Sequence, residues 1–96
     1  MPGRRRCRRV GQQPAFTSFG PANAGNNKPE EAILSVDEFE AVRLKDLEGH
    51  DQSECAEMMD ISQPTFHRLV VSARRKIADA LTNGKTIKIE GGNYRL

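Results

Sequence analysis

Gln63, His67 and Arg68 fall close together in "SQPTFHRL", and their side chains suit the edges of bases better than they suit bond breaking. A glutamine amide matches N6 and N7 of adenine. An arginine fork matches O6 and N7 of guanine, and each good pair of this kind supplies about 1–3 kcal/mol of discrimination. Ser62 and Thr65 lie where a helix would begin, beside amides that lack acceptors, and so suit phosphate oxygens. His67 suits either target. Pro64 offers a rigid apolar contact such as a thymine methyl would take, and Val71 shares the same outward face. Arg74, Arg75 and Lys76 follow where such a helix would leave a major groove, and suit the sugar-phosphate backbone. At the other end of the chain, Arg4, Arg5 and Arg6 open a basic run completed by Arg8 and Arg9. An arm of this kind gains affinity by displacing counterions and suits an adjacent minor groove. The expected partner is double-stranded DNA. RNA is the nearest rival, but the chain has few aromatic residues on which unpaired bases could stack.

Such residues need a helix to present them. Ser62 is a good N-cap, with Gln63 and Pro64 in the first turn, where a missing N–H costs nothing. Phe66, Leu69, Val70, Ala73, Ile77, Ala80 and Leu81 then recur at spacings of three and four, predicting a long helix that stops at Asn83-Gly84. Two capping boxes precede it. "SVDE" predicts a helix from Val36 to Leu47 with Val36, Phe39, Val42 and Leu47 on its inner face, and "DQSE" predicts a short one ending near Asp60 with Cys55, Ala56 and Met59 inward. Asp60 tolerates the positive φ that a tight turn requires there. After the long helix, "KTIKIEGG" reads as a short strand that pairs with "AFTSF" or with "EAIL".

The chain has 96 residues, enough for one small aliphatic core. Its net charge of +2 averages over strong segregation, with a basic start, eleven acids against two basic residues from Glu30 to Asp60, and a basic stretch after Gln63. Basic ends around an acidic middle suit a protein that offers chosen faces to a polyanion. The acidic middle itself suits an adaptor role toward a basic partner such as RNA polymerase. No apolar run approaches membrane-spanning length, and no secretory signal follows the basic start, so a reduced, cytoplasmic setting is expected.

No nucleophile with a base and no Gly-rich phosphate loop is present, so no enzyme and no cofactor are expected. Glu38, Glu40, Asp46 and Glu48 read as caps and solvating groups. Cys7, Cys55, His50 and His67 match no metal-ligand spacing. Cys55 reads as a small core residue. Cys7, among arginines, has the setting of a redox-sensitive thiol.

"DEFEAVRLKDLEGHDQSECAEMMDISQPTFHRLVVSARRKI" resembles region four of bacterial sigma factors, the module that reads the −35 promoter element. Across nearly the whole chain, "RRRCRRV", "LSVDEFEAVRLKDLEG", "PTFHRL", "SARRKIADAL" and "IEGG" resemble uncharacterised protein family 0251, domain of unknown function 134. The resemblance implies a predicted DNA-binding protein with a sigma-like helix-turn-helix, and so transcriptional regulation. The expected fold is mostly α, with a three-helix core in the style of the winged-helix superfamily, short flanking strands and a basic arm. Its parts would be an arm and linker over 1–29, the helix-turn-helix over 30–84, and a strand and tail over 85–96. One such unit buries little surface, which makes a homodimer on a palindrome attractive. His50, Cys55 and Asp60 depart from the sigma pattern, which prefers an apolar residue, Ile or Leu, and Gly at those places. The departures predict looser packing of the second helix.

Overall fold

The computed structural model describes residues 7–25 and 28–96. Ser35 caps the first helix, α1 (Val36–Val42), through a capping box: its Oγ accepts from the Glu38 amide at 3.3 Å, and Glu38 Oε1 accepts from the Ser35 amide at 3.0 Å. The helix runs on without a break into a π-helical segment, Arg43–Leu47, closed by the Glu48 amide donating to the Arg43 carbonyl at 3.0 Å. The expected span of 36 to 47 is therefore helical throughout, but its inner face differs. Ala41 and Leu44 are buried whereas Leu47 is 79% exposed. A π-turn spends more residues per turn, and that swings Leu47 away from the face Leu44 occupies.

Asp51 begins α2 (Gln52–Met59) with a second capping box: its Oδ1 accepts from the Glu54 amide at 2.9 Å, and Glu54 Oε1 accepts from the Asp51 amide at 3.0 Å. Asp60 ends it in the left-handed region at φ 60° and ψ 44°, the sole non-glycine with positive φ among the described residues. The Ile61 amide then reaches back to the Ala56 carbonyl at 3.0 Å, the closing bond of a Schellman-type stop. One residue later Ser62, extended at φ −72° and ψ 158°, caps α3 (Gln63–Asn83) by accepting from the Thr65 amide. Gly84, at φ 66°, terminates it.

Five short strands complete the fold. β1 (Arg8–Arg9) runs parallel to β5 (Tyr94–Arg95). β4 (Thr86–Ile89) lies at the centre of a second sheet, antiparallel to β2 (Ser18–Phe19) and parallel to β3 (Glu31–Leu34). Both expected partners of the C-terminal strand are thus used, one on each edge. The parallel connection from β3 to β4 carries all the helices.

α3 crosses two apolar clusters. Phe66 and Val70 join Ala41, Leu44, Cys55, Ala56 and Met59 in one, and Ala73 joins Val10, Leu34, Val36 and Ile89 in the other. Its inner stripe runs Phe66, Val70, Ala73, Ile77 and Ala80, alternating steps of four and three residues. Leu81 lies off that stripe and is 77% exposed, contrary to its expected inward position. The departures from the sigma pattern do not loosen α2. Cys55 is fully buried and its Sγ lies 3.7 Å from the His50 carbonyl, while Asp60 takes the left-handed turn and accepts from Arg95 Nη2 at 2.9 Å.

Within the segment expected to be arm and linker, Val10 is 1% exposed and belongs to the second cluster. Arg4, Arg5 and Arg6 lie outside the described residues.

Candidate nucleic-acid interface

Phe66 sets the geometry of the outer surface, since burying it points the neighbouring helical positions outward. Ser62, Gln63, Pro64, His67, Arg68 and Val71 are all exposed along the first turns of α3, with Thr65 half-buried between them. Ser62 Oγ lies 2.9 Å from Thr65 Oγ1, and Arg68 Nη2 donates to Thr65 Oγ1 at 3.1 Å. A small hydroxyl network therefore covers the helix start and holds the Arg68 guanidinium back along the helix. Proline at the second position removes only an amide that no intrahelical carbonyl would have met.

Further along, the basic residues divide. Arg75 is exposed. Arg74 is exposed but engaged across the surface, with Nη2 and Nε at 2.6 and 3.0 Å from the two oxygens of Asp46. That fork holds the Asp46 carboxyl below its ordinary value and raises the guanidinium. Lys76 donates to Glu38 Oε1 at 2.7 Å, so it too faces back toward α1. Of the three cations expected to meet a backbone, Arg75 alone points away from such a partner.

The acids of α1 do more than solvate. Glu38 is 5% exposed and accepts from the Ser35 amide, Ser72 Oγ and Lys76 Nζ. Burial pushes its carboxyl up, but the bonds from Lys76, Ser72 and Ser35 together outweigh this and hold it below the ordinary range. Glu40, 2% exposed, takes both Nε and Nη2 of Arg43 and the Gly11 amide at 2.8 Å. It thereby fastens the N-terminal segment to α1.

A family model described as "Protein of unknown function DUF134" matches residues 1–96. The chain belongs to the DUF134 family. A UPF0251 protein of Thermoanaerobacter pseudethanolicus is 55% identical over 96 residues, covering 100% of this chain and 81% of that protein. One from Caldanaerobacter subterraneus is 54% identical with the same coverage, and one from Pelotomaculum thermopropionicum is 51% identical over all of this chain and 73% of its own. No solved structure matches the DUF134 chain at a significant level.

The DUF134 chain brings Ser62, Gln63, Pro64, Thr65, His67, Arg68 and Val71 to the outward side of the first turns of α3. Arg8, expected in the basic arm, is instead carried by β1 to the flank of α3 beside Arg68. A usable signal was the alternation of Arg8, Arg9 and Val10, in which Arg8 and Val10 share the inner side of a strand. Among the described residues, no group of three or more His, Cys, Asp or Glu residues is placed to hold a metal, and no helix is long and apolar enough to cross a membrane.

Proposed function

We propose that this DUF134 protein binds double-stranded DNA in a sequence-specific manner, with α2, the turn at Asp60–Ser62 and α3 acting as a sigma-region-four-like helix-turn-helix, and that it regulates transcription. The observation that carries the reading is the start of α3: Gln63, His67 and Arg68 project from a helix whose opposite face is locked by fully buried Phe66. A helix held this firmly can enter a major groove as a rigid body and offer its first two turns to base edges. The adjacent α2 packs through Ala56, small enough for close approach, and would cross the backbone.

Gln63 and His67 are the base-reading residues in this scheme, with Ser62 and Thr65 on phosphates and Arg75 further along the backbone. The charge pattern supports it, since Arg68, Arg75 and the basic N-terminal run are carried on a protein whose acids gather on α1 and α2.

Selection from a randomised duplex pool at moderate salt tests the proposal. One enriched motif is expected, with Gln63→Ala relaxing preference at one base position and Arg5→Ala weakening all sequences alike. A pool with no enriched motif overturns sequence-specific reading, and favours an adaptor that meets a basic protein such as RNA polymerase through its acidic surface.

A further inference from the structure

Between β1 and the first turns of α3 lies an open cleft of about 350 Å³, lined by Arg8, Glu38, Thr65, Arg68, Leu69 and Ser72. β1 brings Arg8 there through two backbone hydrogen bonds. Its amide donates to the Asn93 carbonyl at 3.0 Å, and two residues on, the amide of buried Val10 donates to the Arg95 carbonyl at 2.7 Å. The Arg8 guanidinium faces Asp37, with Nε 3.7 Å from Oδ2, an ion-pair distance too long for a hydrogen bond. That buried Nε has no hydrogen-bond partner. Arg68 forms the opposite wall, steadied by Thr65 Oγ1.

Glu38 is the acid among the lining residues, and its oxygens are already occupied. Oε1 accepts from Lys76 and Ser35, and Oε2 accepts from Ser72. Arg8, Arg68 and Lys76 stand against Asp37 and Glu38, which leaves one net positive charge at the cleft. That balance suits a singly charged oxyanion, and a backbone phosphodiester carries one negative charge. A dianionic phosphate monoester would be left half neutralised.

We propose that Arg8 and Arg68 form a two-walled clamp for one phosphodiester of duplex DNA, a site that rests on the DNA-binding reading above. The clamp takes Arg68 away from the guanine edge suggested by its sequence position, and leaves base reading to Gln63 and His67. It also gives β1 a task separate from any arm that precedes it. Arg9, next along the strand, faces the other way and lines a different hollow with Gly11, Glu40, Arg43 and Met58.

Lys88, on β4 with Nζ 3.8 Å from Glu31, is the control cation. Duplex affinity is measured against salt concentration for wild type, Arg68→Gln, Lys88→Gln, and Arg8→Gln combined with Asp37→Asn so that no buried charge is stranded. The Arg8 and Arg68 variants should each lose about tenfold on every sequence. Arg68→Gln should also take about 0.9 from the salt slope, whereas the Arg8 pair, which removes one charge of each sign, leaves the slope nearly unchanged, and Lys88→Gln changes affinity less than about twofold. Equal losses from the Arg8 and Lys88 variants overturn the clamp, as does an Arg68→Gln effect confined to one base position. A second probe, dimethyl phosphate followed by amide chemical shifts, separates the clamp from the wider reading. Saturable shifts at Thr65, Leu69 and Ser72 that vanish in the Arg8 variant support the clamp even where no duplex binds. Their absence from wild type removes it.

Discussion

Lys76 Nζ lies 2.7 Å from Oε1 of Glu38, a residue 38 positions earlier that also caps the first helix. One carboxylate thus starts α1 and ties it to the middle of α3. Because the folded-state value of Glu38 is depressed, its contribution to stability is complete above the ordinary glutamate range and is lost as pH falls through the depressed value. Glu38→Gln should cost about 1–2 kcal/mol at neutral pH, since it weakens the cap and the charge-assisted bonds from Ser72 and Lys76, although half-exposed Lys76 can turn to water. In urea titrations from pH 7 to pH 3, the gap between wild type and variant should narrow with acid. A gap independent of pH would refute the ionic role.

Asp60 occupies a left-handed position and accepts from Arg95. Asp60→Gly relieves backbone strain but loses an exposed ion pair, so stability should change by less than about 1 kcal/mol. Asp60→Val, β-branched in the same conformation, should cost about 2 kcal/mol. Thermal melts of both variants decide it, and similar melting points for the two would show that the turn tolerates another conformation.

Phe66 and His67 are neighbours in sequence with opposite surroundings, one fully buried and one exposed. Phe66→Ala should cost about 3–5 kcal/mol, whereas His67→Ala should stay within about 0.5 kcal/mol of wild type. Denaturant midpoints compare them directly. A large loss from His67→Ala would mean that this face of α3 is structural.

Cys55 is fully buried, and burial pushes its thiol up. Iodoacetamide should modify half-exposed Cys7 in the native protein and reach Cys55 only on unfolding, so that its rate rises with urea. Mass spectrometry of partly labelled protein reads both sites. Rapid native labelling of Cys55 would contradict the packing of α2. A Cys7 rate no faster than that of a free thiol would remove the redox reading.

The helix boundaries were legible because each is written locally. Ser35, Asp51 and Ser62 bond to amides three residues ahead, and Asp60 and Gly84 stop helices with their own backbone conformations. The exposed face of α3 followed from the same periodicity. What could not be read depends on residues far apart in the chain. Glu38 looks like a surface cap until Ser72 and Lys76 close over it, and Arg74 looks like a free cation until Asp46 meets it. β5 is two residues long, too short to carry a pattern, so the partner that β1 meets could not be read. The π-helical segment left no sign either, and through it Leu44 replaced Leu47 in the core.

The pairing of β1 with β5 joins Arg8 to Tyr94 across almost the entire chain. Closing a loop of that length costs an entropy equivalent to about 4 kcal/mol, which the short strands and Val10 must offset. The contacts of α2 with α3 span far fewer residues and can form without that closure. On the proposed DNA-binding reading, frayed β1 would therefore leave α3 intact but remove its Arg8 wall. Grip on the backbone and choice of sequence would then melt at different temperatures, and a ligand that orders β1 would strengthen the first without altering the second.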